Sequence, residues 1–392
     1  MKSYSWLGVL AVSMLVWRSH RALTYILLKR ESPTAHYAQG NADAKCVLRT
    51  APEMNFCEDA AFWELYSDAS ANSTRREVIV TCDPGRKEWN TVLGPLRNPE
   101  PHGGLWVLST EDDAAPKRLT LQNYPPGHDF HPLGLAISPS YENGPSNVYV
   151  VNHARQRTYI EQFTLNPALP GVATHIRTLS SPYFVSPNSI ALTSPHSFYV
   201  TNDHLFTRRH WPILPIVETI LGLPFGWVSH ISLDPNPDAA TPIIGHAFAA
   251  LFVNFANGVS ISPSGLQVAV ASTGLARVEI YARDSASNAL THTRTVPVPF
   301  FPDNLEFDAA GALIVAGHPH FPSLLKVKAD LTAEKVAPSW VVSVGDELEG
   351  VETLFRSDGT VFSSSSTGLR DPAGALYVTG LYESGMLVCQ PQ

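Results

Sequence analysis

"NSIALTSPHSFYVTND" at residues 188–203 has the pattern of a two-strand unit, and "NGVSISPSGLQVAVAS" at 257–272 and "DNLEFDAAGALIVAGH" at 303–318 repeat it. Each begins with Asn or Asp, continues as a short strand, turns, and returns as a strand rich in apolar and β-branched residues. "GLAISPSYENGPSNVYVVNH" from Gly134 is a further copy, and "DPAGALYVTG" from Asp371 is a partial one. Such repetition of a whole unit indicates blades around a common axis.

The spacing of the second strands predicts the number of blades. These strands start near Val148, Phe198, Val268, Leu313 and Leu376, and "GGLWVLST" from Gly103 is interpreted as an earlier second strand marked by Trp106. Their separation fits the ~40–50 residues of a propeller blade with insertions. We therefore predict an all-β, six-bladed β-propeller that fills one domain over residues 45–392. A β-sandwich or two small β domains is the alternative.

Composition narrows the class of protein. The chain has 392 residues, of which 44% are hydrophobic and only 16% charged, so a disordered chain is excluded. Its 32 prolines and 25 glycines are spread along the length, as short strands joined by turns require. The net charge of −8 and the lack of a basic run argue against nucleic-acid binding.

The N-terminus has the pattern of a targeting segment. Lys2 precedes an apolar run over residues 4–17, and a second apolar run over 22–28 follows a short basic stretch. Residues 1–30 are predicted to form a hydrophobic helix that is either a cleaved signal peptide or an uncleaved signal anchor. Either form directs the chain into the secretory pathway, to an extracellular or membrane-anchored location.

The four cysteines agree with that route, because none forms a C-x-x-C pair and disulfides persist in the secretory compartment. Cys46 and Cys389 lie near opposite ends of the propeller region. In a closed ring these ends meet, and a disulfide there would hold the closure. Cys57 and Cys82 remain as a second possible pair. Asn72 begins the sequon Asn-Ser-Thr, a candidate glycosylation site.

One insertion stands apart from the repeats. "HWPILPIVETILGLPFGWV" at residues 210–228 is apolar, and its prolines and glycine predict a short helix over 216–221. Such a segment over one face of a propeller either walls an apolar pocket and contacts lipid or packs beneath a loop.

The polar starts of the repeats point to a metal. Asn188, Asn257, Asp303 and Asn304 open successive units, so they converge around the central channel. Carboxamide and carboxylate oxygens suit calcium, which takes six to eight oxygen ligands. Without His or Cys at these positions, zinc and copper are poor fits. Asn and Asp also cap turns, which is the alternative for any one of them.

These strings give the chain a family resemblance. "VVNH" at 150–153, "FYVTNDH" at 198–204, "FANGVSISPSG" at 255–265 and "DN" at 303–304, taken in order, resemble the paraoxonase/arylesterase family of calcium-dependent esterases and lactonases. The resemblance implies a propeller with two calcium ions. It also implies a ring-closing disulfide between Cys46 and Cys389, and lipid association through the N-terminus and residues 210–228.

The resemblance also implies roles for individual residues. The implied ligands of the catalytic calcium are Glu58, Asn188, Asn257, Asp303 and Asn304. Asp59 and the Leu135 carbonyl match ligands of the structural calcium, and His153 matches one of two histidines that activate water. Two positions depart from the family. Leu133 stands where the family has its presumed general base, and Ser189 stands where it has an aspartate ligand of the structural calcium.

The loss of a base at Leu133 leaves several candidates. His131 lies two residues earlier, so an extended strand would direct both side chains to the same side. The others are His128, His204, His318 and Asp303. The leading expectation is a hydrolase of small hydrophobic esters or lactones. The alternatives are a non-hydrolytic tailoring enzyme and a non-catalytic propeller with structural calcium.

Overall fold

The fold is a ring of six β-sheets, as predicted. The computed structural model describes residues 3–28, 32–67, 75–97, 102–332, 334–345 and 350–391. We number the sheets as blades in chain order. From the axis outward, blade 1 is Cys57–Tyr66, Arg75–Cys82, Gly104–Ser109 and Lys117–Arg118. Blade 2 is Pro132–Ile137, Ser146–Asn152, Tyr159–Leu165 and Val172–Leu179. Blade 3 is Pro187–Ser194, Ser197–Asn202, Gly226–Leu233 and Ile243–Val253.

The remaining blades follow the same antiparallel order. Blade 4 is Ala256–Ile261, Gln267–Ser272, Arg277–Arg283 and Leu290–Pro297. Blade 5 is Phe301–Phe307, Leu313–His318, Ser339–Val344 and Val351–Ser357. Blade 6 is Ser365–Arg370, Leu376–Gly380, Met386–Cys389 and Cys46–Arg49. Short strands extend three blades: Ser140–Tyr141 on blade 1, Thr120–Gln122 on blade 2 and Ala35–Tyr37 on blade 5.

The predicted second strands are confirmed in blades 2 to 6, but the one in blade 1 is wrong. Gly104–Ser109, which contains Trp106, is the third strand of its sheet, and Arg75–Cys82 is the second. Both are apolar alternating strands, and such a pattern does not encode distance from the axis. The missed innermost strand, Cys57–Tyr66, is the one that carries Glu58 and Asp59.

The innermost strands contact one another in sequence, and that of blade 6 contacts that of blade 1, so the ring is closed. Two glycines allow this close approach. A Cβ on Gly134 would lie 2.7 Å from Ser189 Cα, and a Cβ on Gly258 would lie 2.7 Å from Asn304 Cα. The hydrophobic core lies between neighbouring blades, as in the cluster that joins Val278 of blade 4 to Val315 of blade 5.

The two ends of the ring meet in blade 6. The N-terminal strand Cys46–Arg49 pairs antiparallel with Met386–Cys389, and Cys46 lies opposite Cys389. These two cysteines form a disulfide, as predicted, and Cys57 forms a second one with Cys82. The sequon asparagine Asn72 lies outside the described residues, and its glycosylation stays a prediction.

The longest helix contacts two of the other three described helices. The N-terminal helix Ser3–Leu27 contacts the 3₁₀ turn Thr273–Leu275 and the helices Leu214–Ile220 and Phe321–Ala329. A fourth helix, Ala42–Lys45, precedes the closing strand. Arg18 Nε donates to the Gly222 carbonyl at 2.8 Å. Leu214–Ile220 confirms the short helix predicted in the insertion. No described helix combines the length and apolarity that a membrane span needs.

Candidate active site

The polar residues that open the repeats lie together at one end of the central channel. Glu58, Asn188, Asn257 and Asp303 line a cavity of about 50 Å³. Asn304 joins them, because its Nδ2 donates to Glu58 Oε1 at 3.0 Å. All five side chains are buried, although they come from four different blades. The convergence that the repeats predicted is therefore present in the structure.

Four oxygen atoms of this group lack hydrogen-bond partners. They are Glu58 Oε2, Asn188 Oδ1, Asn257 Oδ1 and Asn304 Oδ1. The amide nitrogens are used instead: Asn257 Nδ2 donates to Asp303 Oδ1 at 2.6 Å, and Asn188 Nδ2 donates to Asp203 Oδ2 at 3.2 Å. Leaving a buried oxygen without a partner costs free energy. A cation that prefers oxygen ligands fits this set.

The electrostatics of the site point the same way. Burial raises the pKa of Glu58 well above its ordinary value, and the charges of Asp59 and Asp303 raise it further. Arg86 and the hydrogen bond from Asn304 offset part of this effect. A divalent cation beside these carboxylates would favour their ionised forms. Within the described residues, no three His, Cys, Asp or Glu side chains cluster as metal ligands, and three of the five residues gathered here are carboxamides.

The second set of predicted ligands is organised differently. Asp59 Oδ1 accepts from Thr367 Oγ1 at 2.9 Å and from its neighbour's backbone N–H, while Oδ2 accepts from Leu135 N at 2.9 Å. Burial raises the pKa of Asp59 to about 6. Ser189 Oγ accepts from Val259 N at 3.3 Å. Both oxygens of Asp59 therefore have hydrogen-bond partners, as do those of Asp303, whereas the other four residues of the first set each have an unpartnered oxygen.

A histidine and an aspartate form a dyad on the cavity wall. His318 Nε2 lies 2.9 Å from Asp303 Oδ2, and both residues line the cavity. His318 Nδ1 is buried and has no hydrogen-bond partner. With Nε2–H donated to the carboxylate, Nδ1 carries the lone pair. His318 is the last residue of the second strand of blade 5. His153 and Asp203 occupy the corresponding position of the repeat, directly after the second strands of blades 2 and 3.

His153 does not line this cavity. Its Nε2 donates to the Pro187 carbonyl at 2.6 Å, and its Nδ1 accepts from the Thr91 hydroxyl. Burial and the charge of Arg209 lower the pKa of His153 to about 4. The ring is neutral and uses both nitrogens, so it supports the backbone just before Asn188 instead of reaching the cavity.

His131 also lies away from the cavity. Its Nδ1 is 2.9 Å from Asp83 Oδ2, and its Nε2, 3.5 Å from Asp129 Oδ2, has no hydrogen-bond partner. Leu133 does line the cavity. We expected the side chains of His131 and Leu133 to point the same way, and they do not. The reason is that the innermost strand of blade 2 shifts register against the second strand at Val150, next to the start of the innermost strand.

The other two candidate histidines have structural partners. His128 Nε2 lies 2.7 Å from Glu161 Oε1. Glu161 belongs to the third strand of blade 2 and so lies away from the axis. His204 Nδ1 contacts Asp203 Oδ1 at 2.9 Å, and its Nε2 contacts Thr219 Oγ1 of the insertion helix at 2.9 Å. Burial lowers the pKa of His204, but the Asp203 charge and hydrogen bond outweigh it and raise the pKa.

The rest of the cavity wall is mostly apolar, with Asn90 and Thr273 as its polar members. The apolar side chains are those of Val92, Leu93, Leu133, Phe255, Phe301, Phe321, Leu324 and Leu381. Two of these belong to the helix Phe321–Ala329, which Lys328 ties to the Leu93 carbonyl through a 2.9 Å hydrogen bond. Sequence reasoning did not identify this helix or the segment around Leu93, because neither belongs to the repeat.

A family model described as Arylesterase matches residues 97–388. Among curated proteins, serum paraoxonase/lactonase 3 of Oryctolagus cuniculus is 25% identical over 68% of this chain and 72% of its own length. Serum paraoxonase/arylesterase 2 of Homo sapiens is 25% identical over 72% of this chain and 77% of its own length. Serum paraoxonase/arylesterase 1 of Homo sapiens is 28% identical over 59% and 66%, respectively.

Solved structures with a similar course of chain include a luciferin-regenerating enzyme, with a TM-score of 0.49 and 11% identity. That comparison covers 88% of this chain and 95% of the other. A gluconolactonase from Xanthomonas campestris has a TM-score of 0.44 and 15% identity, and the comparison covers 92% and 98% of the two chains. The fold assignment rests on the six sheets themselves.

Proposed function

The chain belongs to the arylesterase family, and we propose that it is a calcium-dependent hydrolase of small hydrophobic lactones or aryl esters. The observation that carries the proposal is the set of four buried, unpartnered oxygens beside the Asp303–His318 dyad. The oxygens fit a hard cation, and the dyad supplies a base. The names of the curated relatives, lactonase and arylesterase, support the same reaction class.

The proposed ligands of the ion are Glu58, Asn188, Asn257, Asp303 and Asn304. When bound, calcium would act as a Lewis acid that polarises the ester carbonyl and stabilises the negative charge developing on its oxygen. The number of ions stays open in this proposal. A second ion at Asp59 and Leu135 would compete with the hydrogen bonds that Asp59 already accepts.

The proton step falls to His318. Its Nδ1 lone pair is free to accept a proton from the attacking water, while Asp303 holds the opposite edge of the ring and stabilises the imidazolium that forms. His318 then returns the proton to the alcohol leaving group, which completes the hydrolysis. Leu133 contributes apolar surface at the position where the family's presumed base is expected.

The cavity walls define the substrate. Seven apolar side chains of the wall come from phenylalanine and leucine, so the non-reacting part of the substrate is apolar. A cavity of about 50 Å³ is smaller than the ~300 Å³ at which ligand pockets begin. Binding therefore requires displacement of the helix Phe321–Ala329 or of the segment around Leu93.

A hydrolysis screen tests the proposal. Aryl acetates and lactones of increasing chain length are offered to the full chain with calcium, with chelator, and with calcium restored. We expect turnover that chelator abolishes and calcium restores. His318→Asn should lose at least a hundredfold in kcat and keep the calcium-induced rise in melting temperature. His292→Asn, on an outer strand, is the matched control with full activity.

Three results would contradict this assignment. Equal rates in His318→Asn and the wild type would exclude the dyad, and then His153→Gln and His131→Gln would be compared as alternatives. Absence of turnover, with unfolding on chelation, would show a non-catalytic propeller held together by calcium. Conversion of a substrate without hydrolysis would indicate a tailoring enzyme.

We also propose that the chain enters the secretory pathway, with Asn72 glycosylated there. Two disulfides and no free cysteine among the described residues fit an oxidising compartment. Exposed apolar side chains on the N-terminal helix, such as Trp6 and Trp17, and on the 210–228 insertion, such as Trp211 and Phe225, support membrane or lipid association. A flotation assay with phosphatidylcholine vesicles would fail to recover the chain if this association were absent.

A further inference from the structure

The opposite end of the central channel opens into a much larger cavity, of about 770 Å³. It lies where the innermost strands end, whereas the Asn and Asp residues lie where they begin. We call it the lower funnel and define it by six channel-facing residues, one from each blade. They are Ala61, Ala136, Ala191, Ser260, Glu306 and Arg370.

The funnel exists because most of these six positions are small. The first five each follow a buried apolar residue at the same position of the repeat, so their side chains form one layer facing the axis. Arg370 corresponds to Phe307 and lies one residue further along its strand. Four of them are Ala or Ser. Larger side chains at these positions would fill the channel, as they do in closely packed interiors. The volume lies within the ~300–1,000 Å³ range of pockets that hold drug-sized ligands.

Much of the funnel wall is apolar, and one of its three carboxylates has no basic partner. The next residue along five of the strands adds a bulky apolar side chain at the mouth: Phe62, Ile137, Leu192, Ile261 and Phe307. Three acids and two arginines also line it. Arg76 pairs with Glu64, and Arg370 pairs with Asp308 at 2.6 Å. Glu306 forms no salt bridge with any described residue, and burial raises the pKa of its carboxyl to about 8.

From this arrangement we propose that the lower funnel binds an apolar organic cation, such as a primary alkyl or aryl ammonium. The ammonium group would lie against Glu306, and the apolar body would pack on the mouth residues. An anionic ligand is disfavoured, because both arginines are already paired, whereas an ammonium placed beside Glu306 favours the ionised form of its carboxyl. The site is separate from the cavity at Asp303, and the proposal does not depend on the proposed hydrolysis.

The test uses the full chain with calcium present and monodansylcadaverine, a fluorescent apolar amine, as the probe. Its N-acetyl derivative has nearly the same apolar body without the charge, and it serves as the matched ligand. We expect the amine to bind at least tenfold more tightly. Glu306→Gln should reduce amine affinity to that of the acetyl derivative and leave binding of the derivative unchanged. Ala136→Phe should abolish binding of both.

Folding and the location of the site are controlled in the same experiment. Melting temperatures identify any variant that fails to fold, and Glu306→Asp, which keeps the charge, should retain the preference for the amine. Lactone or ester turnover should be unchanged in Glu306→Gln, since the residue lies at the other end of the channel. Equal binding of the two probes, or undiminished amine binding in folded Glu306→Gln, would overturn the proposal.

Discussion

The link between Cys46 and Cys389 is expected to contribute more to stability than the link between Cys57 and Cys82. The first closes a loop with a sequence separation of 343 residues and the second one of 25. In the chain-entropy treatment, the stabilisation grows with the logarithm of loop length. At 25 °C it gives about 6 kcal/mol for the longer loop and about 3.5 kcal/mol for the shorter. Both values are upper bounds, because denatured chains retain some structure.

The assay compares Cys46→Ala/Cys389→Ala with Cys57→Ala/Cys82→Ala. Urea unfolding is followed by the fluorescence of buried Trp106, and midpoints are converted to free energies of unfolding with a common m value. All measurements are made in chelator, since Cys57 adjoins Glu58 and its loss would also weaken cation binding. The order of the two losses, not their absolute size, is the main readout.

The result that would refute this reasoning is a loss below about 2 kcal/mol for the Cys46/Cys389 variant, well under the chain-entropy value. The backbone pairing of Cys46–Arg49 with Met386–Cys389 would then be sufficient to close the ring. A larger loss for the Cys57/Cys82 variant would also refute it, because loop length would not be the controlling quantity.

Three further predictions concern charge, pH and access. Glu58→Gln should raise the melting temperature in chelator, because burial raises the pKa of Glu58 and so penalises its charge, but it should reduce the rise produced by calcium; a lower melting temperature in chelator would contradict this. Burial alone would raise the pKa of Glu161. The hydrogen bonds that its carboxylate accepts, first among them the one from His128, lower the pKa to about 2. This stabilisation, about 3 kcal/mol, is present above pH 4.5 and is lost as the pH falls towards 2. Glu161→Gln should therefore make the free energy of unfolding depend less on pH in the acid range, and an unchanged dependence would exclude this role of Glu161. Lys328→Met should raise kcat/KM for bulky aryl esters relative to small lactones, because it frees the Leu93 carbonyl; equal ratios would show that this tie does not limit access.

The fold was predictable because the repeats encode it. Five copies of a two-strand unit, together with the further strand at Gly103, predicted six blades, and the polar first residues of the units predicted where Asn188, Asn257 and Asp303 meet. The position of Gly104–Ser109 was not predictable, because second and third strands share one alternating pattern. Their order depends on which neighbour lies closer to the axis, a tertiary property.

The base was harder to predict than the metal ligands. Strand alternation placed His131 beside Leu133, and the register shift at Val150 breaks that alternation. The local sequence around His153 does not show that Thr91 and Pro187 engage both of its nitrogens. His318 is distinguished from His131, which also has an unpartnered ring nitrogen, by its position on the cavity wall, and that position is visible only once the blades are assembled.

The shared sheet of blade 6 has a consequence for synthesis. A ribosome makes Cys46–Arg49 before any of the innermost strands, but its partner Met386–Cys389 follows only after all six blades have begun, so this strand waits with an unpaired edge. Cys57 and Cys82 meet within one blade and are able to oxidise early, whereas Cys46 waits for a partner that lies 343 residues further along the chain. Chains cut short by premature stop codons would therefore retain an exposed strand edge and a reactive thiol, two features by which quality control recognises incomplete proteins.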